Sequence, residues 1–419
     1  MAVEQTKLAI VLTYVVWIFA SFKVDWVIPG GRVIAPAVTV MQGVLFLLWI
    51  ISSGRKFDEA MTKYFLLFLV LMVVSSVFAR NNGLSRMPIR GVFFLFITYL
   101  STLTFVDDEK RLFAVFNVFV VGHVVVSLLS IIGGGQVQQI AIFADENDLA
   151  LGVNTVLPVT LSLAIGEKDR GKKIYYLVLT GIFCTASIIS FSRGGFLGLI
   201  AGTLFVWLKS SRTRIRATVM MIVLASGMLL FAPAAFWEEM GTIKDGVADA
   251  TGGGRVFMWK IAIREFLDNP LMGVGVANYG VWLPDYVRED DVLSDGTRPQ
   301  SMTTRYGRVC HSLYFTILSE LGLMGVALFG MMLHCFFSGM TSVIKRSENL
   351  NTEDNVRTNP EDLEMRNKCR LLGLGLSGGM IGFLVSAAFL SVLYYPQFWL
   401  MCSLGVSLQN CSRRSTTVL

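Results

Sequence analysis

The chain has three histidines, and one of them, His311, opens an apolar run in VCHSLYFTILSELGLMG. Histidine titrates near neutral pH and can take a proton from a hydroxyl, so His311 is a candidate general base. An interfacial residue that anchors a helix is the plainer use of the same position. Arginines supply the other half of a possible chemistry. Arg193 sits in the tight turn SFSRGGFLG, and Arg255 follows Gly252, Gly253 and Gly254, read as a flexible lead into a short helix. An arginine at the positive end of a helix dipole favours an anion between the two. Arg80, Arg86 and Arg90 lie in ARNNGLSRMPIR, read as a short outer loop. Guanidinium groups grip phosphate through forked hydrogen bonds; each arginine can equally be a helix-end residue snorkelling to headgroups. Glu320 lies roughly 13 Å along a helix from His311 and on its opposite face, so it is expected to bond another helix rather than to orient His311. His123 and His334 fall within apolar runs and are expected in the core. FADEND (143–148) is read as solvated acidic surface, with a metal site as the alternative.

Membrane helices must position these residues. The 419 residues are 54% hydrophobic and 16% charged, with mean hydropathy +0.61. The apolar residues come in runs of about 15 to 25, the length that crosses a bilayer as a helix, without the alternation of barrel strands. The expected fold is an all-α polytopic membrane protein of about twelve transmembrane helices: 8–22, 33–52, 64–79, 89–105, 112–133, 147–165, 174–191, 194–209, 217–236, 311–340, 371–393 and 396–409. The first run lacks a small-residue cleavage site and reads as a helix rather than a signal peptide.

With the N-terminus inside, most of the 36 lysines and arginines fall on the cytoplasmic side, chiefly in EKDRGKK (167–173) and KSSRTRIR (209–216). Both termini are then cytoplasmic. This bias accounts for the net charge of +6 without nucleic acid. Three regions follow: 1–236 with nine helices, a large periplasmic loop at 237–310, and 311–419 with three helices and a cytoplasmic loop at 341–370, its polar stretch 347–368 read as linker. In the large loop, 255–268 reads as an amphipathic helix lying at the interface, with Val256, Trp259, Ile263 and Phe266 at helical spacing and a stop before Pro270. Residues 286–308 read as surface loop. Six scattered cysteines without a C-x-x-C pair suggest packing roles, not a disulfide framework or zinc site. GLGLSGG (373–379) reads as small-residue helix packing.

GGRVFMWKIAIREFLDNPLMGVGVANY followed by HSLYFTILSELGLMGVALF resembles the O-antigen ligase and O-antigen polymerase superfamily of bacterial inner-membrane glycosyltransferases. The matching residues are Arg255, Trp259, Pro270, Gly273, Gly275, His311, Ser312, Tyr314, Glu320, Gly322 and Gly325. SRGG with Arg193 resembles the family's earlier arginine motif. TRYGRVCHSLYF and FWEEMGTI look like the O-glycosylation ligase branch found alongside exosortase systems; Cys310 stands where the family usually has a small residue. The resemblance covers roughly residues 140–340.

It implies a GT-C-like transferase that takes a glycan from undecaprenyl pyrophosphate and gives it to a hydroxyl of lipid A core, polysaccharide or protein at the periplasmic face of the inner membrane. On that reading His311 is the base, Arg193 and Arg255 hold the pyrophosphate, and Arg80, Arg86 and Arg90 contribute further. Glu320, Tyr314 and Trp259 support the site, and neither metal nor cofactor takes part. Direct displacement would invert the anomeric centre. A polymerase differs only in acceptor. A flippase or transporter for lipid-linked sugars also suits twelve spans, but would place its charges near the midplane rather than at one outer surface. A noncatalytic assembly protein is a third reading.

Overall fold

The computed structural model describes residues 2–22, 31–52, 54, 57–135, 137, 143, 145–210, 213–243, 250–288, 290–291, 308–353 and 360–417. Among these there is no strand. The helices are α1 (Ala2–Phe22), α2 (Gly31–Ile51), α3 (Ala60–Val77), α4 (Asn82–Phe105), α5 (Glu109–Ile132), α6 (Glu146–Gly166), α7 (Arg170–Ile189), α8 (Arg193–Lys209), α9 (Arg214–Phe231), α10 (Ala234–Gly241), α11 (Ala250–Asp268), α12 (Tyr279–Tyr286), α13 (Leu313–Glu353), α14 (Pro360–Ser386) and α15 (Pro396–Thr417). Eight of them (α3 to α7, α9, α13 and α14) are long and apolar enough to cross a membrane, and α1 and α2 hold shorter apolar stretches. Each of the twelve expected spans overlaps a helix, but 217–236 runs past the end of α9 into α10.

Polar side chains set where the helices begin. Asn81, Asp108, Asp145, Asp169 and Ser192 each accept a backbone N–H from the first turn of α4, α5, α6, α7 and α8, satisfying donors that a helix start leaves unpaired. The core sits around α6, which is buried along its whole apolar length, and α14, whereas α9 is 11% buried and peripheral. Glycines allow α14 this close approach. A Cβ on Gly378 would stand 2.9 Å from the Gly202 carbonyl oxygen, and one on Gly382 3.1 Å from that of Asn154. The small-residue reading of 373–379 thus holds.

Several boundaries differ from the sequence reading. The outer loop expected at 80–90 is mostly helix: the Asn81 cap starts α4 at once, so Arg86 and Arg90 ride on its first turns. The large loop 237–310 contains three helices, α10, α11 and α12. Helix α11 begins at Ala250, so Gly252–Gly254 are helical rather than a flexible lead, and Arg255 lies in the second turn. The linker expected at 347–368 is largely helix on both sides of 354–359, residues outside the described set. The span expected over 371–393 ends at Ser386, followed by a 3₁₀ turn, Ala387–Phe389, and irregular backbone up to Pro396, where the hydroxyls of Tyr394 and Tyr395 bond Glu320 of α13 and Asp148 of α6. His334 is exposed on α13, not in the core.

Candidate active site

The motif Pro-x-x-Gly-x-Gly and the motif Glu-x-Gly meet as two halves of one device. Helix α13 breaks at Gly322, which takes φ +60° and ψ −158°. The break would leave the N–H groups of Leu323 and Met324 and the carbonyls of Ser319 and Glu320 without their i−4 partners. Loop 270–275 replaces all four: Leu323 N–H donates to Pro270 O (2.8 Å) and Met324 N–H to Leu271 O (3.1 Å), while Val274 N–H donates to Ser319 O (2.8 Å) and Gly275 N–H to Glu320 O (3.1 Å). Broken helices inside a membrane protein are stable only when freed backbone groups are satisfied in this way. The glycines follow from the fit. Gly273 has φ +67° and a Cβ there would run into the Ser319–Leu321 backbone; Gly322 would meet Leu271 at 2.6 Å. Ser75 of α3 closes the clasp, its hydroxyl lying 3.0 Å from Met272 O and 3.2 Å from Glu320 O.

The clasp fixes α11 and the head of α13 relative to each other. The Glu320 carboxylate accepts from Ala277 N–H at 2.8 Å and from the Tyr394 hydroxyl at 2.6 Å, a bond to another element rather than to His311. Trp259 stacks on Phe315, with centroids 5.1 Å apart. Tyr314 donates to Leu384 O at 2.8 Å, tying the head of α13 to the end of α14.

Helix α11 is apolar on two sides. Phe257, Met258, Ile261 and Ala262 are buried against the protein, whereas Val256, Ile263 and Leu267 point outward. Between the two sides, Arg264 grips both oxygens of Asp291 (2.6 and 2.8 Å), which holds the Asp291 carboxyl down at about 2. Glu265 lies on the buried side, fully enclosed. It accepts from the Ser319 hydroxyl, and burial, only partly offset by that bond, pushes its carboxyl up to about 9.

One end of the bundle collects the candidate residues. Arg255 lies 6.0 Å from the Phe389 ring, and that ring packs against Gly194, the residue after Arg193. Arg193 bonds Thr242 (2.9 Å) and Glu239 (3.2 Å) of the α10 region. His311 has an exposed edge. Partial burial lowers its pKa from the ordinary value, the charge of Arg255 lowers it further, Asp145 opposes and Arg308 adds to the lowering. Asp145 caps α6, and Asp148 in the next turn accepts from the Tyr395 hydroxyl at 3.1 Å. FADEND therefore belongs to this end, with Asp148 buried rather than solvated. Among the described residues, no three His, Cys, Asp or Glu gather as a metal-ligand set.

The remaining arginines spread out. Arg80 pairs with Asp285 of α12 and lies 4.3 Å from the Trp282 ring. Arg90 reaches Thr39 of α2 (3.0 Å), and Arg86 is exposed on α4. Among the described residues, three non-glycine residues take left-handed φ: Phe191, Ala277 and His311, between 53° and 54°. One precedes the Arg193 turn, one donates to Glu320, and one is the candidate base. Such conformations cost of order 1–3 kcal/mol each and gather at functional sites.

Sequence reasoning missed Phe389, Tyr394, Tyr395 and Glu265. A readable signal existed for two of them: in YYP the tyrosines precede a proline, which disfavours helix immediately before it. Glu265 also left a trace, since it falls on the wheel beside Met258, Ile261 and Ala262.

The fold and this end define a polytopic all-α membrane protein with a histidine and arginines grouped at one end of its helices. Residues 177–330 match the family model described as O-antigen ligase, a stretch running from α7 through Arg193, Arg255, the clasp and His311 into α13. The match supports the resemblance to the O-antigen ligase and polymerase superfamily over these residues, and with it glycosyltransferase activity of the general ligase or polymerase type. Comparison with curated proteins gives no match.

Proposed function

We propose that this protein transfers a glycan from undecaprenyl pyrophosphate to an acceptor hydroxyl of lipid A core, polysaccharide or protein, at the periplasmic face of the bacterial inner membrane. The observation that carries the reading is that Arg193, Gly194, Phe389 and Arg255 adjoin at one end of the bundle, where the charge of Arg255 also acts on His311. His311 takes the acceptor proton as its oxygen attacks the anomeric carbon. The bond from that carbon to the pyrophosphate oxygen breaks, and Arg255 and Arg193 balance the charge that develops there, with Arg80, Arg86 and Arg90 as a basic flank. A single displacement inverts the anomeric centre. The arginines supply the charge, so the step needs no metal ion.

The lowered pKa of His311 suits a base, because the neutral imidazole prevails at neutral pH. The clasp and the Trp259–Phe315 stack hold Arg255 and His311 in fixed register. The Lys- and Arg-rich turns around residues 167–173 and 209–216 lie at the other end of α6, α7 and α8 from the site, which supports a cytoplasmic location for them and for both termini.

The test is glycan transfer in a strain lacking the gene, complemented with wild type, His311→Ala or Arg193→Ala, with membrane abundance matched. Expected is lipid-linked glycan accumulating and the mature conjugate restored by wild type alone; the product that vanishes names the acceptor. Full restoration by both variants refutes the assignment and favours a transporter. Loss of long polymer, with single units still attached, identifies a polymerase.

A further inference from the structure

At the opposite end of the bundle lies a cavity of about 640 Å³, walled by the α6–α7 turn, the start of α9 and the first turns of α14. Its apolar side is made by Leu163, Leu363 and Leu371, and its rim carries Lys168, Lys172, Arg216, Lys368 and Arg370. Three acids share the lining, and each is already engaged. Glu167 accepts the N–H groups of Lys168 and Asp169 (2.8 and 3.0 Å). Asp169 caps α7 through Lys172 N–H (2.8 Å). Glu364 sits between Lys368 (2.6 Å) and Lys172 (3.8 Å). Arg370 turns to Glu348 (3.9 Å) and Asn367 (3.3 Å). Lys168 and Arg216 make no ion pair among the described residues, and Thr213, which precedes the first turn of α9, caps it with no side-chain hydrogen bond.

These parts match a phosphate-bearing ligand. Lys168, Arg216 and Thr213, the residue that opens α9, line the same space, and a helix start favours an anion beside a basic side chain. The leucine floor gives the site an apolar half that a free ion would not use, and basic pockets between membrane helices take phospholipid headgroups. We infer that this cavity binds the phosphate of an anionic phospholipid, with Lys168 and Arg216 as its two cationic contacts. Nothing in the transfer chemistry uses this site, so it stands or falls independently of the proposed function.

The experiment measures retention of phosphatidylglycerol by the purified full chain in native mass spectrometry, with phosphatidylcholine and inorganic phosphate as separate probes. The variants are Lys168→Gln, Arg216→Gln and the pair. Both residues are exposed, so folding should survive, and a melting curve checks it. Each cation near an anionic headgroup contributes roughly fivefold in affinity, so the pair should lose about twenty-five-fold for phosphatidylglycerol, with little change for phosphatidylcholine. Phosphate binding of the same sensitivity, without lipid retention, assigns the site to the free ion and overturns the lipid source. Equal retention by wild type and the pair overturns the site itself.

Discussion

Glu265 offers a sharp test of how α11 and α13 are held. The carboxyl is fully enclosed, its one bond comes from the Ser319 hydroxyl, and its Oε1 has no hydrogen-bond partner among the described residues. The adjacent Arg264 is committed to Asp291, so no cation compensates a charge at Glu265. Raised to about 9 from the usual 4.5, the folded state holds this proton across a window in which the unfolded chain has released it. The contribution to stability is therefore fully present below about 4.5, falls as pH rises through the window, and levels off above about 9. The slope is roughly 1.4 kcal/mol per pH unit, so about 3 kcal/mol is lost between pH 4.5 and 7.

Glu265→Gln removes the titration and keeps an oxygen for the Ser319 hydroxyl. Its unpaired amide adds a constant cost of about 1–3 kcal/mol, so the slope, not the intercept, is diagnostic. Equilibrium unfolding of the full chain in mixed micelles at pH 5, 6, 7 and 8 should show wild type weakening steadily relative to the variant. Parallel pH dependence in the two proteins would refute the claim that Glu265 is a neutral, uncompensated acid.

The hydropathy pattern exposes the helical membrane fold because the bilayer demands long apolar runs, and each expected span has a helix beneath it. What it misses are places where polar contacts replace helical bonds. The motif glycines at 273, 275 and 322 are visible as letters. That they form a loop inserted into a broken helix depends on partners some 50 residues apart, a pairing no local period encodes. The extra helices of 237–310 hide for a related reason: α12 is eight residues long and contains Pro284, and α11 starts in glycines. The segment 387–395 is apolar enough to pass for the end of a span, and only the tyrosine bonds to Glu320 and Asp148 reveal its work. His311 and the arginines of 193 and 255 were legible because charged or titratable residues beside apolar helices are rare. Their grouping was legible only through the order of the motifs.

Three further outcomes are expected. Gly273→Ala forces a side chain into the Ser319–Leu321 backbone at positive φ and should cost about 3 kcal/mol or more, read as lost membrane abundance; Gly254→Ala, with open space around its Cβ, should be neutral or slightly stabilising. Tyr394→Phe strips the side-chain donor from the buried Glu320 carboxyl and should cost about 1–3 kcal/mol in the same micelle unfolding assay. Transfer activity should fall as pH drops through the pKa of His311, because only the neutral imidazole accepts a proton, and the inflection should lie below 6.5 because burial and Arg255 both disfavour the charged form. Arg255→Gln removes one of those two causes. Whatever transfer remains in that variant should therefore show its inflection at higher pH than wild type; an unmoved inflection would separate Arg255 from His311 and leave the arginine without a place beside the base.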